Sequence, residues 1–246
     1  MLIATDHPAP FQIVSTSDSV RVDTGRLVVG PVIIDTTSMR LWTPTPDWPA
    51  VRRLFSANPD ALAELIALVM SEPLKGSLLE MYGPHPSPPP FHGGGGGVSR
   101  ALLERAHEGA NDLLGGLHSR SIAHCLNGAK LLAGAGGGLT PAGDDFIVGA
   151  MLAAWANLYG PGAESMCQPI LESAAPLTTT LSAAYLRAAA RGECAMHWHT
   201  LFESLIRSDA EAARLAVQSL MAVGHTSGAD ALAGFIAAAK CKPEAE

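Results

Sequence analysis

From Val98 onward, almost every stretch of the chain carries apolar residues at helical spacing, in Ala- and Leu-rich segments cut by single glycines. "VSRALLERAHEGANDLLGGL" (98–117), "SIAHCLNGAKLLAG" (121–134), "LTTTLSAAYLRAAARG" (177–192) and "CAMHWHTLFESLIRS" (194–208) all show it. Such a pattern buries itself by packing helix on helix. The start of the chain reads differently. "FQIVSTSDSVRVDTGRLVVGPVIIDTTSMRLW" (11–42) is rich in Val, Ile and Thr, with breaks at Asp18-Ser19, Thr24-Gly25 and Gly30-Pro31. This predicts short antiparallel strands joined by turns. Asn58-Pro59 reads as an N-cap followed by a proline at the first helical position, opening a helix over 60–70.

The expected fold class is therefore α+β: a small N-terminal antiparallel β subdomain followed by a mainly α-helical domain. The boundaries are 1–57 for the β subdomain, 58–82 for a helical connection, 83–97 for a linker or mobile loop, and 98–246 for the helical domain. The linker, "GPHPSPPPFHGGGGG", is stiffened by proline in its first half and loosened by glycine in its second. His85 and His92 within it read as solvated loop residues.

Composition narrows the function classes. Hydrophobic residues make up 48% and charged residues 16%, so the chain can bury a large core. A net charge of −7 argues against a nucleic-acid partner, which needs a basic surface. The four cysteines, Cys125, Cys167, Cys194 and Cys241, show no paired metal or disulfide spacing. The N-terminal residues lack a basic region followed by an apolar run, and no apolar stretch reaches the ~18–20 residues of a membrane span. The expectation is a cytoplasmic protein with no membrane partner.

Against this greasy background stands "GAGGGLTPAGDD" (134–145), five glycines and two aspartates between apolar runs. A dinucleotide fingerprint fails, because Leu139 stands where a glycine is needed and no strand precedes. A Walker A loop fails too: Asp144-Asp145 replace the Lys-Ser/Thr that neutralise phosphate. What remains is a loop entering a buried helix at its N-terminus. One aspartate, Asp144, is expected to cap that helix, and Asp145 to face a cleft. "GHTSGADALAGFIAA" (224–238) repeats the grammar: Thr140, Asp145 and Gly149 match Thr226, Asp230 and Gly234. Two polar helix starts would then meet, with Gly149 and Gly234 letting their helices approach closely. In a third polar stretch, Thr178, Ser182 and Tyr185 are spaced to share one helical face.

"GGGLTPAGDDFIVGAMLA", "TTTLSAAYLRAAARGE" and "GHTSGADALAGF" resemble three signatures of a bacterial domain-of-unknown-function family that includes a subunit of oxamate carbamoyltransferase, in allantoin degradation. The resemblance runs from about residue 128 to the C-terminus. It implies a role in purine-nitrogen metabolism, in which a carbamoyl group is exchanged between oxalurate and phosphate to give oxamate and carbamoyl phosphate. It also implies other subunits as partners.

The expected site lies where Gly136–Asp145, His225–Asp230 and Thr178–Ser182 meet. His225, Asp145 and Asp230 are the candidate catalytic residues, His225 because imidazole titrates near neutrality. Gly136, Gly137, Gly138, Thr140, Gly143, Asp144, Thr179, Ser182, Thr226, Ser227 and Gly228 are the candidate binding residues for a small carboxylate or phosphate-bearing substrate, held at helix N-termini. Asp144 and Asp145 suit Mg²⁺, the one cofactor considered. Two rival readings stand beside this one: a non-catalytic helical scaffold subunit, and a stand-alone Mg²⁺-dependent hydrolase using the paired aspartates.

Overall fold

In the computed structural model, which describes residues 13–38, 42–58, 60–72, 77–78 and 100–240, the chain opens with three strands: β1 (Val20–Asp23), β2 (Arg26–Val29) and β3 (Val32–Asp35). They form an antiparallel meander in that order, with Val20 opposite Val29 and Val29 opposite Val32. The turns fall at two of the breaks read from the sequence. Gly25 and Gly30 there take φ of +73° and +54°, a region that side chains disfavour. The backbone divides after Thr43, and residues 44–246 form a second unit.

The second unit is helical. Its α-helices among the described residues are α1 (Trp48–Ala57), α2 (Ala61–Met70), α3 (Arg100–Ser119), α4 (Ile122–Leu132), α5 (Ala142–Ala153), α6 (Ala163–Ala174), α7 (Thr180–Ala190), α8 (Met196–Ile206), α9 (Ala210–Met221) and α10 (Ser227–Lys240). None of the described helices is long and apolar enough to cross a membrane.

Local chemistry accounts for the helix starts, with two differences from expectation. Residues 48–57, grouped by the sequence with the β part, are helix α1. Asp47 accepts from the Ala50 N–H at 2.9 Å and Pro49 sits in the first turn, both ordinary helix-start devices. Helix α2 begins at Ala61, and Asn58 caps no helix start: its side chain accepts from the Asp60 N–H at 3.1 Å. Helix α9 is capped by Asp209, which accepts from Ala212 N–H at 3.0 Å. Ser208, one residue earlier, instead takes φ +54°. The 83–97 segment, with His85 and His92, lies outside the described residues.

Helices α5 and α10 are the centre of the unit. Every residue of α10 from Gly228 to Ala239 is buried, as are most of α5. A helix that is apolar all round has to be buried all round, which explains why this chain carries so little charge. The two helices touch backbone to backbone. A Cβ on Gly149 would lie 1.8 Å from the Ala231 carbonyl oxygen, and one on Gly234 would lie 2.0 Å from that of Phe146. The two glycines of the sequence repeat therefore make one reciprocal contact. Around it, Phe235 packs against Trp198 and Phe202 with ring centroids 5.3 and 5.7 Å apart.

Candidate functional site

Helix α5 starts earlier than its aspartates suggest. Pro141 occupies the N-cap position, the first helical residue is Ala142, and no side chain caps it. The fixed φ of proline pre-forms this entry. Asp144 is therefore not the cap, and both aspartates lie in the first turn, where the helix dipole favours negative charge.

The two carboxylates have different surroundings. Asp144, 1% exposed, accepts from the Gly134 N–H at 3.0 Å through Oδ1 and from the Thr178 hydroxyl through Oδ2. It fastens the start of the glycine loop to the segment preceding α7. Gly134 takes φ +69° there, and a Cβ would meet the Leu177 carbonyl oxygen at 2.8 Å. Replacing Asp144 by alanine strands two donors, so we expect a loss of about 2–4 kcal/mol of stability, with a smaller loss for Asp144→Asn. Urea denaturation of the two variants measures this. Equal stability of Asp144→Ala and wild type would remove the clamp.

Asp145 faces the second motif. The hydroxyls of Thr140 and Ser227 are hydrogen-bonded to each other at 2.8 Å, and both act on the Asp145 carboxyl. That carboxyl is pushed up to about 7. Burial is the main cause, the charges of Asp230 and Asp144 add to it, and the two hydroxyls pull the other way. Asp230, at the matching place on α10, is fully buried and accepts from the Leu78 N–H at 2.6 Å. Burial raises it to about 6, against the downward pull of the Leu78 and Thr226 hydrogen bonds. Oδ2 of Asp145, Oδ2 of Asp230 and Oγ of buried Ser182 have no hydrogen-bond partner.

The third stretch docks onto the same loop. The Thr179 hydroxyl donates to the Leu139 carbonyl at 2.6 Å, and its oxygen accepts from the Ser182 N–H at 3.1 Å as the cap of α7. Ser182 lies on the buried side of α7. Thr178 precedes the helix with extended backbone, so it does not share a helical face with Ser182, and Tyr185 points outward at 49% exposure.

The remaining candidates sit around this junction. Gly136, Gly137 and Gly138 are exposed in the loop, with φ of +123° and +90° at Gly136 and Gly138. Gly143 and Gly228 are buried. A Cβ on either would strike a carbonyl oxygen, of Leu132 at 2.2 Å and of Leu220 at 1.8 Å. His225 is exposed in the turn before α10, and Thr226 is half-buried. Most of the helix-start donors are taken: the N–H of Gly143 bonds Ala135 O, those of Asp144 and Asp145 bond Pro141 O, and those of Gly228 and Asp230 bond Val223 O and Thr226 O.

The geometry does not favour a cation between Asp144 and Asp145. Both Asp144 oxygens are engaged within the protein, and no group of three or more His, Cys, Asp or Glu suited to a metal occurs among the described residues. Sequence reasoning named Thr178 without a bonding role and missed the Leu78 amide. Thr178 was legible in part, since a Thr-Thr-Thr run before a helix supplies one cap and leaves a neighbouring hydroxyl free. The Leu78 amide carried no signal, because a backbone donor 152 positions from its acceptor leaves none.

No solved structure matches the chain. Residues 132–239 match the family model described as oxamate carbamoyltransferase subunit AllH. The matched residues, 108 of the chain's 246, hold every polar group of the junction except the Leu78 amide, and over them the chain is similar to that family.

Proposed function

We propose that the chain is a subunit of an oxamate carbamoyltransferase, and that the junction of the glycine loop, the α7 start and the α10 start binds its substrate. One observation carries the reading. Two separate polar stretches, the starts of α7 and α10, are tied to one loop by three side-chain bonds, Thr140 to Ser227, Thr178 to Asp144 and Thr179 to Leu139 O, and together they enclose two buried carboxyls. Gly136, Gly137, Gly138, Thr140, Gly143, Thr179, Ser182, Thr226, Ser227 and Gly228 line the binding region, and Asp144 holds it together. Perturbed carboxyls in such a place are what proton-transfer chemistry uses.

In the proposed reaction, a phosphate oxygen bonds to the ureido carbonyl carbon of oxalurate. The bond from that carbon to the oxamate nitrogen breaks, and the nitrogen takes a proton. Asp145, at about 7, is suited to hold and donate that proton. Burial keeps the Asp145 carboxyl high, and the charge of Asp230 adds to it. His225 stands exposed at the rim.

Exposed apolar side chains beside the loop fit a chain that works with other subunits. Leu139 is 74% exposed, and Leu181 and Tyr185, one turn apart on α7, are 42% and 49% exposed. Such side chains near a site are suited to contact with a partner protein.

The test is carbamoyl phosphate formation from oxalurate and phosphate by the purified complex. Asp145→Asn should lower kcat at least 100-fold while the complex still assembles. His225→Ala should lower it less and alter the pH profile. The scaffold reading has one observation in its favour, the reciprocal Gly149–Gly234 packing. Full activity in an assembled Asp145→Asn complex would establish that reading instead.

A further inference from the structure

We infer that the cavity between α2 and the corner joining α8 to α9 is a second binding site, for a small protonated amine with an apolar body. Its lining shares no residue with the junction of the glycine loop and the starts of α7 and α10. It therefore stands or falls apart from the proposed function.

The cavity measures about 500 Å³, within the roughly 300–1,000 Å³ of small-molecule sites. Leu68 of α2, Leu205 of α8 and Ala213 of α9 give it apolar walls. Three observations make its occupant a cation. First, two carboxylates line it, Glu64 and Asp209, and neither joins an ion pair among the described residues. No Lys, Arg or His is among the described lining residues. Second, three helices end at its edge: α1 at Asn58, α2 at Ser71 and α8 just before Ser208. A helix C-terminus carries partial negative charge. Two helices begin there, α2 and α9, and their positive ends are offset by the same carboxylates, Glu64 in the first turn and Asp209 at the N-cap. Third, acceptors are at hand. Asp209 spends Oδ1 on the Ala212 N–H, which leaves Oδ2. Ser204, 4% exposed, donates to the Leu201 carbonyl at 2.8 Å, and its oxygen can still accept. An ammonium group has three donors and no acceptor, which matches this set. An apolar body attached to it would cover Leu68, Leu205 and Ala213.

The experiment is calorimetric titration of the full chain with three compounds of one shape. Phenethylamine carries the ammonium, 2-phenylethanol replaces it by a hydroxyl, and 3-phenylpropionate reverses the charge. Phenethylamine should bind with a Kd below about 1 mM. The alcohol should bind at least about 10-fold more weakly, and the acid not at all. Glu64→Gln combined with Asp209→Asn should cut the preference for amine over alcohol to less than about threefold. Asparagine still caps α9, so this variant keeps its fold. Ala67 is exposed on the face of α2 that lines the cavity. Ala67→Trp should fill the space and abolish amine binding, with the melting temperature little changed. Equal binding of amine and alcohol, or binding of the acid, overturns the inference. So does a preference that survives the double substitution, or amine binding undiminished in Ala67→Trp. Absence of phenethylamine binding at about 10 mM overturns it as well.

Discussion

Replacing Gly149 by alanine should destabilise the protein by about 3 kcal/mol or more, lowering its melting temperature by roughly 6–12 °C. The added methyl group would sit 1.8 Å from the Ala231 carbonyl oxygen and close to the Phe235 backbone nitrogen, at 2.7 Å. Both neighbours are helix backbone, so no rotamer change makes room, and α5 and α10 must separate. Gly234→Ala meets the Phe146 carbonyl at 2.0 Å and should behave alike. Gly115 supplies the control. It lies in α3 with nothing within 4 Å of an added Cβ, so Gly115→Ala should gain up to about 1 kcal/mol from helix propensity alone. Thermal melts of the three variants read all of this. A Gly149→Ala protein that melts with the wild type would show that the two central helices are not locked together at this point.

Asp145→Asn should make the protein more stable at pH 8, by an amount on the order of 2–4 kcal/mol, and less so as pH falls. The unfolded carboxyl ionises near 3.8 and the folded one at about 7. Below pH 3.8 both states hold the proton and the group exerts no penalty. Between these values the folded state binds the proton that the unfolded state has released, so stability falls as pH rises. Above about 7 both are ionised and the whole cost is present. At about 1.36 kcal/mol per unit, a difference of roughly three units sets the upper end of the range. Asp230, raised to about 6, acts in the same direction and remains in the variant. Urea denaturation at pH 4.5 and pH 8 provides the comparison. If the margin of Asp145→Asn over wild type does not grow with pH, the carboxyl is not held up as described. Under the proposed function, the same substitution should also lower kcat at least 100-fold.

Much of the fold was legible because the deciding forces are local. The three strands follow from a Val- and Ile-rich segment cut by turns at Thr24-Gly25 and Gly30-Pro31. Helical spacing announced α3, α4, α7 and α8, and the two polar helix starts announced α5 and α10, but α6 (Ala163–Ala174) went unread. The Asp47 cap and Pro49 of α1 were legible on the same grounds, but the strands before them drew residues 48–57 to the wrong unit. The matched Gly149 and Gly234 were readable as a close helix contact, since only glycine permits one.

The division of labour between adjacent aspartates was decided elsewhere. Asp144 and Asp145 share composition, charge and neighbours in the chain, and any local rule treats them as interchangeable caps. Once Pro141 starts the helix, successive side chains diverge by about 100°. Asp144 meets Gly134 and Thr178, while Asp145 meets Thr140 and Ser227. The same holds for Asp230, whose partner comes from Leu78, 152 positions away. Propensity and periodicity act over a few residues, so the sequence by itself determined the elements, their order and the glycines on which the central pair depends. Which carboxyl is clamped, which is left with an unmet oxygen, and how far burial raises each were determined only by tertiary packing, because desolvation and hydrogen-bond partners arise from segments that the chain brings together after its local structure has formed.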